Sequence, residues 1–68
     1  MNETEVRLLK VAEAAEILGI GRSTAYDMIA DGVLRVIDVR RKGAKAPRLR
    51  VHPKDLAELI ESRRLEAA

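Results

Sequence analysis

The chain has 68 residues, with 13 Lys or Arg against 11 Asp or Glu, a formal net charge of +2 and no cysteine. A chain this short buries only about 60% of the surface its unfolded form exposes, so we expect one domain over residues 1–68 with an ordered core at about 8–64. Its interior must be plain aliphatic packing, because the absence of cysteine and a single histidine, His52, exclude a disulfide, a thiolate site or a zinc cage. The same scarcity leaves no base and nucleophile set, so neither catalysis nor a cofactor is expected. The opening "MNETEVRLLK" lacks a secretory pattern, and no apolar run approaches the roughly 20 residues that span a bilayer.

The charge is unevenly distributed. Residues 1–34 carry net −3 and residues 55–68 net −2, whereas residues 35–54 hold eight cations against Asp38 alone, net +7. A segment of that kind suits phosphates or anionic headgroups.

In chain order, Val11, Ala14, Ala15 and Leu18 recur at i, i+3, i+4 and i+7, predicting a helix over "VAEAAEIL" that Gly19 stops. Lys10 is a poor amino-terminal cap for it. After the turn Gly19-Ile20-Gly21, with Ile20 as an apolar plug, "RSTAYDMIAD" predicts a second helix with Ala25, Met28 and Ile29 on its core face and Gly32 at its end. Two helices joined by a short glycine-containing turn have the spacing of a helix-turn-helix, which plain helical hairpins share.

The period then changes to two. "LRVIDVR" predicts a strand, "RKGAKAP" a charged loop and "RLRVH" the returning strand, with Leu49 and Val51 alternating against Arg48, Arg50 and His52. Pro53 opens a third helix, "PKDLAELIESRR", with Asp55 and Glu58 towards its positive end, Arg63 and Arg64 towards its negative end, and Leu56, Leu59 and Ile60 on its apolar face. The first few and last few residues are expected to fray. The fold class is α+β: a winged helix-turn-helix of two helices, a two-stranded hairpin wing and a C-terminal helix.

Gly19-Ile20-Gly21-Arg22-Ser23-Thr24 superficially resembles a phosphate loop, but a dinucleotide fingerprint follows a strand and needs a third glycine, and a Walker loop needs a leading glycine and Lys. A membrane surface fits poorly too, since the cations lie on a hairpin without Trp or Phe. Double-stranded DNA remains the best anionic partner. Its major groove, about 12 Å wide, accepts a helix whose first turn reaches base edges. Arg22 in that turn suits bidentate bonding to guanine, and Ser23 and Thr24 suit a base or a phosphate. Tyr26 and Asp27 follow one turn later on the outer side. Ser23 has a local backbone bond or a capping role as its alternative, Tyr26 a role covering the core with its ring, and Asp27 a contact to cytosine or a paired cation. The hairpin cations Arg40, Arg41, Lys42, Lys45, Arg48 and Arg50 would form a slim wing against the adjacent backbone or minor groove.

Over roughly residues 8–62 the chain resembles the small winged helix-turn-helix excisionases, or recombination directionality factors, and the related DNA-binding domain of MerR-type regulators. The resemblance rests on "LLKVAEAAEILGIGRSTAYDMIADGVL", the basic hairpin and "RVHPKDLAELI". It implies that Arg22, Ser23, Thr24 and Tyr26 lie on a recognition helix and Arg41, Lys42 and Lys45 on a wing. Two positions depart from the family pattern: Gly21 stands where relatives often carry a capping Ser, and Asp27 where a basic or polar residue is common. The implied role is an architectural factor that bends DNA, self-associates cooperatively on it and directs a phage or mobile-element integrase towards excision, in the cytoplasm on the nucleoid. A small transcriptional regulator on the same domain is one alternative, disfavoured because a MerR-type activator needs a long dimerisation helix. A protein-interaction module or antitoxin is another.

Overall fold

The computed structural model describes residues 7–65. Six elements follow in order: β1 (Leu9–Lys10), α1 (Val11–Leu18), α2 (Arg22–Ala30), β2 (Ile37–Asp38), β3 (Leu49–Val51) and α3 (Pro53–Ser62). The expected fraying falls largely on positions 1–6 and 66–68, outside the described residues.

The helices start and stop for identifiable reasons. At α1 the Glu13 carboxylate accepts a hydrogen bond from the Lys10 backbone N–H at 2.8 Å. That is half of a capping box, and it compensates for Lys10 having no side-chain acceptor to offer. Gly19 closes the helix at φ +72°. Its N–H donates to the Glu16 carbonyl, and the Ile20 N–H donates to the Ala15 carbonyl. This bond pair is a Schellman motif, and Ile20 packs beside Ala15 as the expected plug. The same pair recurs at the end of α2, where Gly32 N–H donates to Ile29 and Val33 N–H to Met28, with Gly32 at φ +78°. Helix α2 therefore ends at Ala30, and Asp31 is its cap rather than its last turn. At α3 the His52 Nδ1 accepts from the Lys54 N–H at 3.0 Å, and Pro53 occupies the first helical position. His52 is thus a cap at the strand-helix junction.

The sheet departs from the expected two-stranded hairpin. It has three antiparallel strands in the order β1-β3-β2, with Leu9 opposite Val51 and Ile37 opposite Arg50. β1 is only two residues long, too short for any periodicity to show. The first hairpin strand is also shorter than the run "LRVIDVR" suggested, because the Leu34 N–H donates back to the Met28 carbonyl and so completes the end of α2. Leu34, 1% exposed, is a core residue supplied by a connection.

Two apolar clusters fill the interior. Ala14, Leu34, Val51, Leu56 and Leu59 form one, joined by Leu9, Leu18, Met28, Ile29 and Val36. Val11, Ala15 and Ala25 form the other, with Ile20, Ile29 and Leu49 against them. Alanines in the second cluster let α1 and α2 approach closely, which fixes the angle at which α2 leaves the turn. The apolar face expected for α3 holds at Leu56 and Leu59 but not at Ile60, which is 40% exposed.

Candidate nucleic-acid interface

Helix α2 buries only Ala25 completely, with Met28 and Ile29 partly covered. Since those three take the inner stripe, geometry turns the rest of the helix outward. Arg22, Ser23, Thr24, Tyr26 and Asp27 are all exposed. Tyr26 is 49% exposed. No side chain caps the amino end of α2, where Gly21 is the cap residue. Ser23 sits two places past that cap, so its alternative role as capping residue does not hold. An uncapped helix start leaves backbone N–H groups available to an anion, reinforced by the positive end of the helix dipole.

The second element is the hairpin between β2 and β3. Its tip is a four-residue turn, Arg41 to Ala44, closed by the Ala44 N–H donating to the Arg41 carbonyl at 2.9 Å. Gly43 holds φ +91° at the third place, where a type II turn needs a positive value. Arg41, Lys42 and Lys45 are exposed around this tip, and Arg48 is exposed on the returning side.

Two of the sequence-identified cations are engaged within the protein. Arg40 places Nε 3.2 Å from Asp38 Oδ2 and donates from Nη1 to the Lys45 carbonyl at 3.2 Å. Arg50 donates from Nη1 to the Leu49 carbonyl at 2.8 Å. It pairs with Lys10 on one side and Ile37 on the other, on the sheet face opposite Leu49 and Val51. Arg50 therefore belongs to the sheet rather than to the tip.

Asp38 also matters to this surface, although its residue type gave no reason to include it among DNA contacts. Its Oδ1 accepts from the Arg40 N–H at 3.0 Å and from the Arg48 N–H at 3.2 Å. Those two N–H groups, helped by the Arg40 charge and opposed by partial desolvation, hold the carboxyl below the ordinary aspartate value. The available signal was its isolation as the only acid among eight cations.

No group of His, Asp or Glu among the described residues could hold a metal ion. None of their helices is long and apolar enough to cross a membrane. No curated protein and no solved structure shows significant similarity to the chain. A family model does match, described as a helix-turn-helix domain and spanning residues 8–64. That span contains both helices, their glycine turn, the wing and α3. With its exposed α2 and cationic hairpin, the chain belongs to the helix-turn-helix domain family and binds double-stranded DNA through that motif.

Proposed function

We propose that the protein is a sequence-specific architectural DNA-binding factor of excisionase type, without catalytic activity of its own. In this role α2 enters the major groove, with Arg22 reading guanine and Ser23 and Thr24 bonding a base or phosphate. The wing tip lies on the neighbouring backbone or minor groove, carried by Arg41, Lys42, Lys45 and Arg48. The observation that carries this proposal is the coincidence of an uncapped, outward-facing first turn on α2 with a cationic hairpin supplied by a different part of the chain. Engaging two grooves at once supplies contacts that can offset a bending cost on the order of 1–6 kcal/mol. The excisionase role, with an integrase partner and cooperative binding of several copies, draws its support from the resemblance of residues 8–62 to that group.

The deciding experiment titrates the protein into random duplex DNA across a salt series, followed by site selection and a bending assay on the selected duplex. A steep fall in affinity with salt, a selected site that bends, and stimulation of excision by an integrase acting at that site are the expected results. Binding without bending would indicate a small transcriptional regulator instead. Absence of binding at low salt would direct attention to a protein partner for the basic hairpin.

A further inference from the structure

The wing carries a hollow of about 450 Å³ lined by Val39, Arg40, Arg41, Ala44, Ala46 and Arg48. Three guanidinium-bearing residues around small apolar side chains make a seat suited to a phosphate, since arginine offers planar forked donors and alanine keeps the floor open. Like charges repel, so three arginines would splay unless something drew them together. Asp38 stands at the base of that group. It accepts backbone hydrogen bonds from both sides of the hairpin, from Arg40 on the outgoing side and Arg48 on the returning side. Its second oxygen faces the Arg40 guanidinium, which in turn donates to the Lys45 carbonyl across the tip. One backbone bond, Val39 N–H to the Arg48 carbonyl at 2.8 Å, continues the hairpin beyond β2 and β3 at the same level. From there to the Arg41–Ala44 turn, side-chain and carboxylate bonds take the place of a ladder.

We propose that Asp38 is a positioning residue for DNA binding: it clasps the base of the wing and holds Arg40, Arg41 and Arg48 around one seat for a backbone phosphate. This rests on the DNA-binding function described above and adds a role for an acid in the most cationic part of the chain. The clasp and simple electrostatics predict effects of opposite sign. Removing a negative charge from a DNA-facing surface should by itself tighten binding and steepen its salt dependence. Removing a clasp should weaken binding and flatten that dependence.

The experiment compares the wild-type protein with Asp38→Ala and Asp38→Asn on one random duplex over a salt series. Each phosphate that the protein no longer neutralises takes about 0.9 off the slope of log affinity against log salt, or roughly eightfold in affinity at 0.1 M salt relative to 1 M. Asp38→Ala is expected to bind about that much more weakly, with the flatter slope. Asp38→Asn keeps the shape and one carbonyl acceptor, and is expected to bind no more tightly than wild type despite the loss of a negative charge. Tighter binding by both variants, with a steeper slope, would overturn the proposal. If Asp38→Ala does not fold, Asp38→Asn decides by the same criterion. Amide hydrogen exchange on the free wild-type protein gives a readout independent of DNA: Arg40 and Arg48 should be protected, and exchange at unprotected rates would refute the clasp. A wild-type protein that binds no duplex would overturn the DNA-binding function and this role with it, whereas wild-type binding with unprotected amides would overturn the clasp alone.

Discussion

At the scale of single residues, Arg22 and Asp38 illustrate two ways a charge can serve a DNA surface. Arg22 is exposed at the first position of α2, and in the proposed role it reads a base. Arg22→Ala is expected to reduce the preference for a selected site over random duplex by about 1–3 kcal/mol. Equal losses on both duplexes would assign Arg22 to the backbone instead. Asp38 works within the protein. Its folded pKa lies below its unfolded one, so its bonds favour the folded hairpin at every pH above the ordinary value of 3.8 and are lost as acidification passes the lowered value. The amide resonances of Arg40 and Arg48 should therefore follow a titration whose midpoint lies below 3.8. A titration centred above that point would contradict the hydrogen bonds that cause the shift.

Among elements, the turn between α1 and α2 sets the pose of the recognition helix. A Cβ added at Gly19 would meet no atom within 4 Å, yet the residue sits at φ +72°. Gly19→Ala should thus cost about 1–2 kcal/mol through backbone conformation alone. Gly21 has an ordinary φ of −76° and caps α2 without a side chain. Gly21→Ser should therefore stabilise by a few tenths of a kcal/mol. Urea denaturation of both variants checks the contrast, and a destabilisation at both positions would mean that the turn is constrained by something other than φ. The wing acts as a unit as well. Lys42 and Lys45 replaced together by Ala should weaken binding to all duplexes alike and flatten the salt slope by about one unit for each phosphate left without its lysine. An unchanged slope would take the tip out of the interface.

The three helices were legible in the sequence because Val11, Ala14, Ala15 and Leu18, or Leu56 and Leu59, repeat over enough residues for periodicity to register, and because Gly19, Gly32 and Pro53 punctuate them. The sheet was less so. Leu9 and Lys10 are a strand only because Val51 and Arg50 lie opposite them, a relation between positions some forty residues apart that no local window contains. Ile60 shows the reverse case, an apolar residue at helical spacing that α3 nevertheless leaves exposed. The exposed cations at the wing tip were identifiable from charge alone. The bonds that Arg40 makes across the tip and Arg50 makes to its neighbour Leu49 depend on how the hairpin folds, and the same chemistry that marks an arginine as a phosphate ligand also suits it to a carbonyl.

For the whole molecule, stability depends on a few large side chains. Leu34 and Val51 are the largest that are fully buried, and Leu34 comes from a connection rather than a helix or strand. Leu34→Ala should cost about 2–5 kcal/mol, against a total of roughly 3–10 kcal/mol for a domain of this length. Thermal unfolding by circular dichroism should show a strongly lowered midpoint or no cooperative transition. A drop of only a few degrees would place the weight of the core elsewhere.

The strand order β1-β3-β2 puts the last strand made at the centre of the sheet. Synthesis proceeds from the amino end, so both helices of the helix-turn-helix are made before Val51, Leu56 and Leu59 exist to pack beneath them. Local contacts can form early, but the closure between Leu9 and Val51 must wait, and its loop entropy is met only when the centre strand arrives. A nascent chain would thus carry Arg22, Ser23 and Thr24 without the fold that positions them. The capacity to bind DNA would be gained in one late step, when the centre strand closes the sheet between Leu9 and Val51.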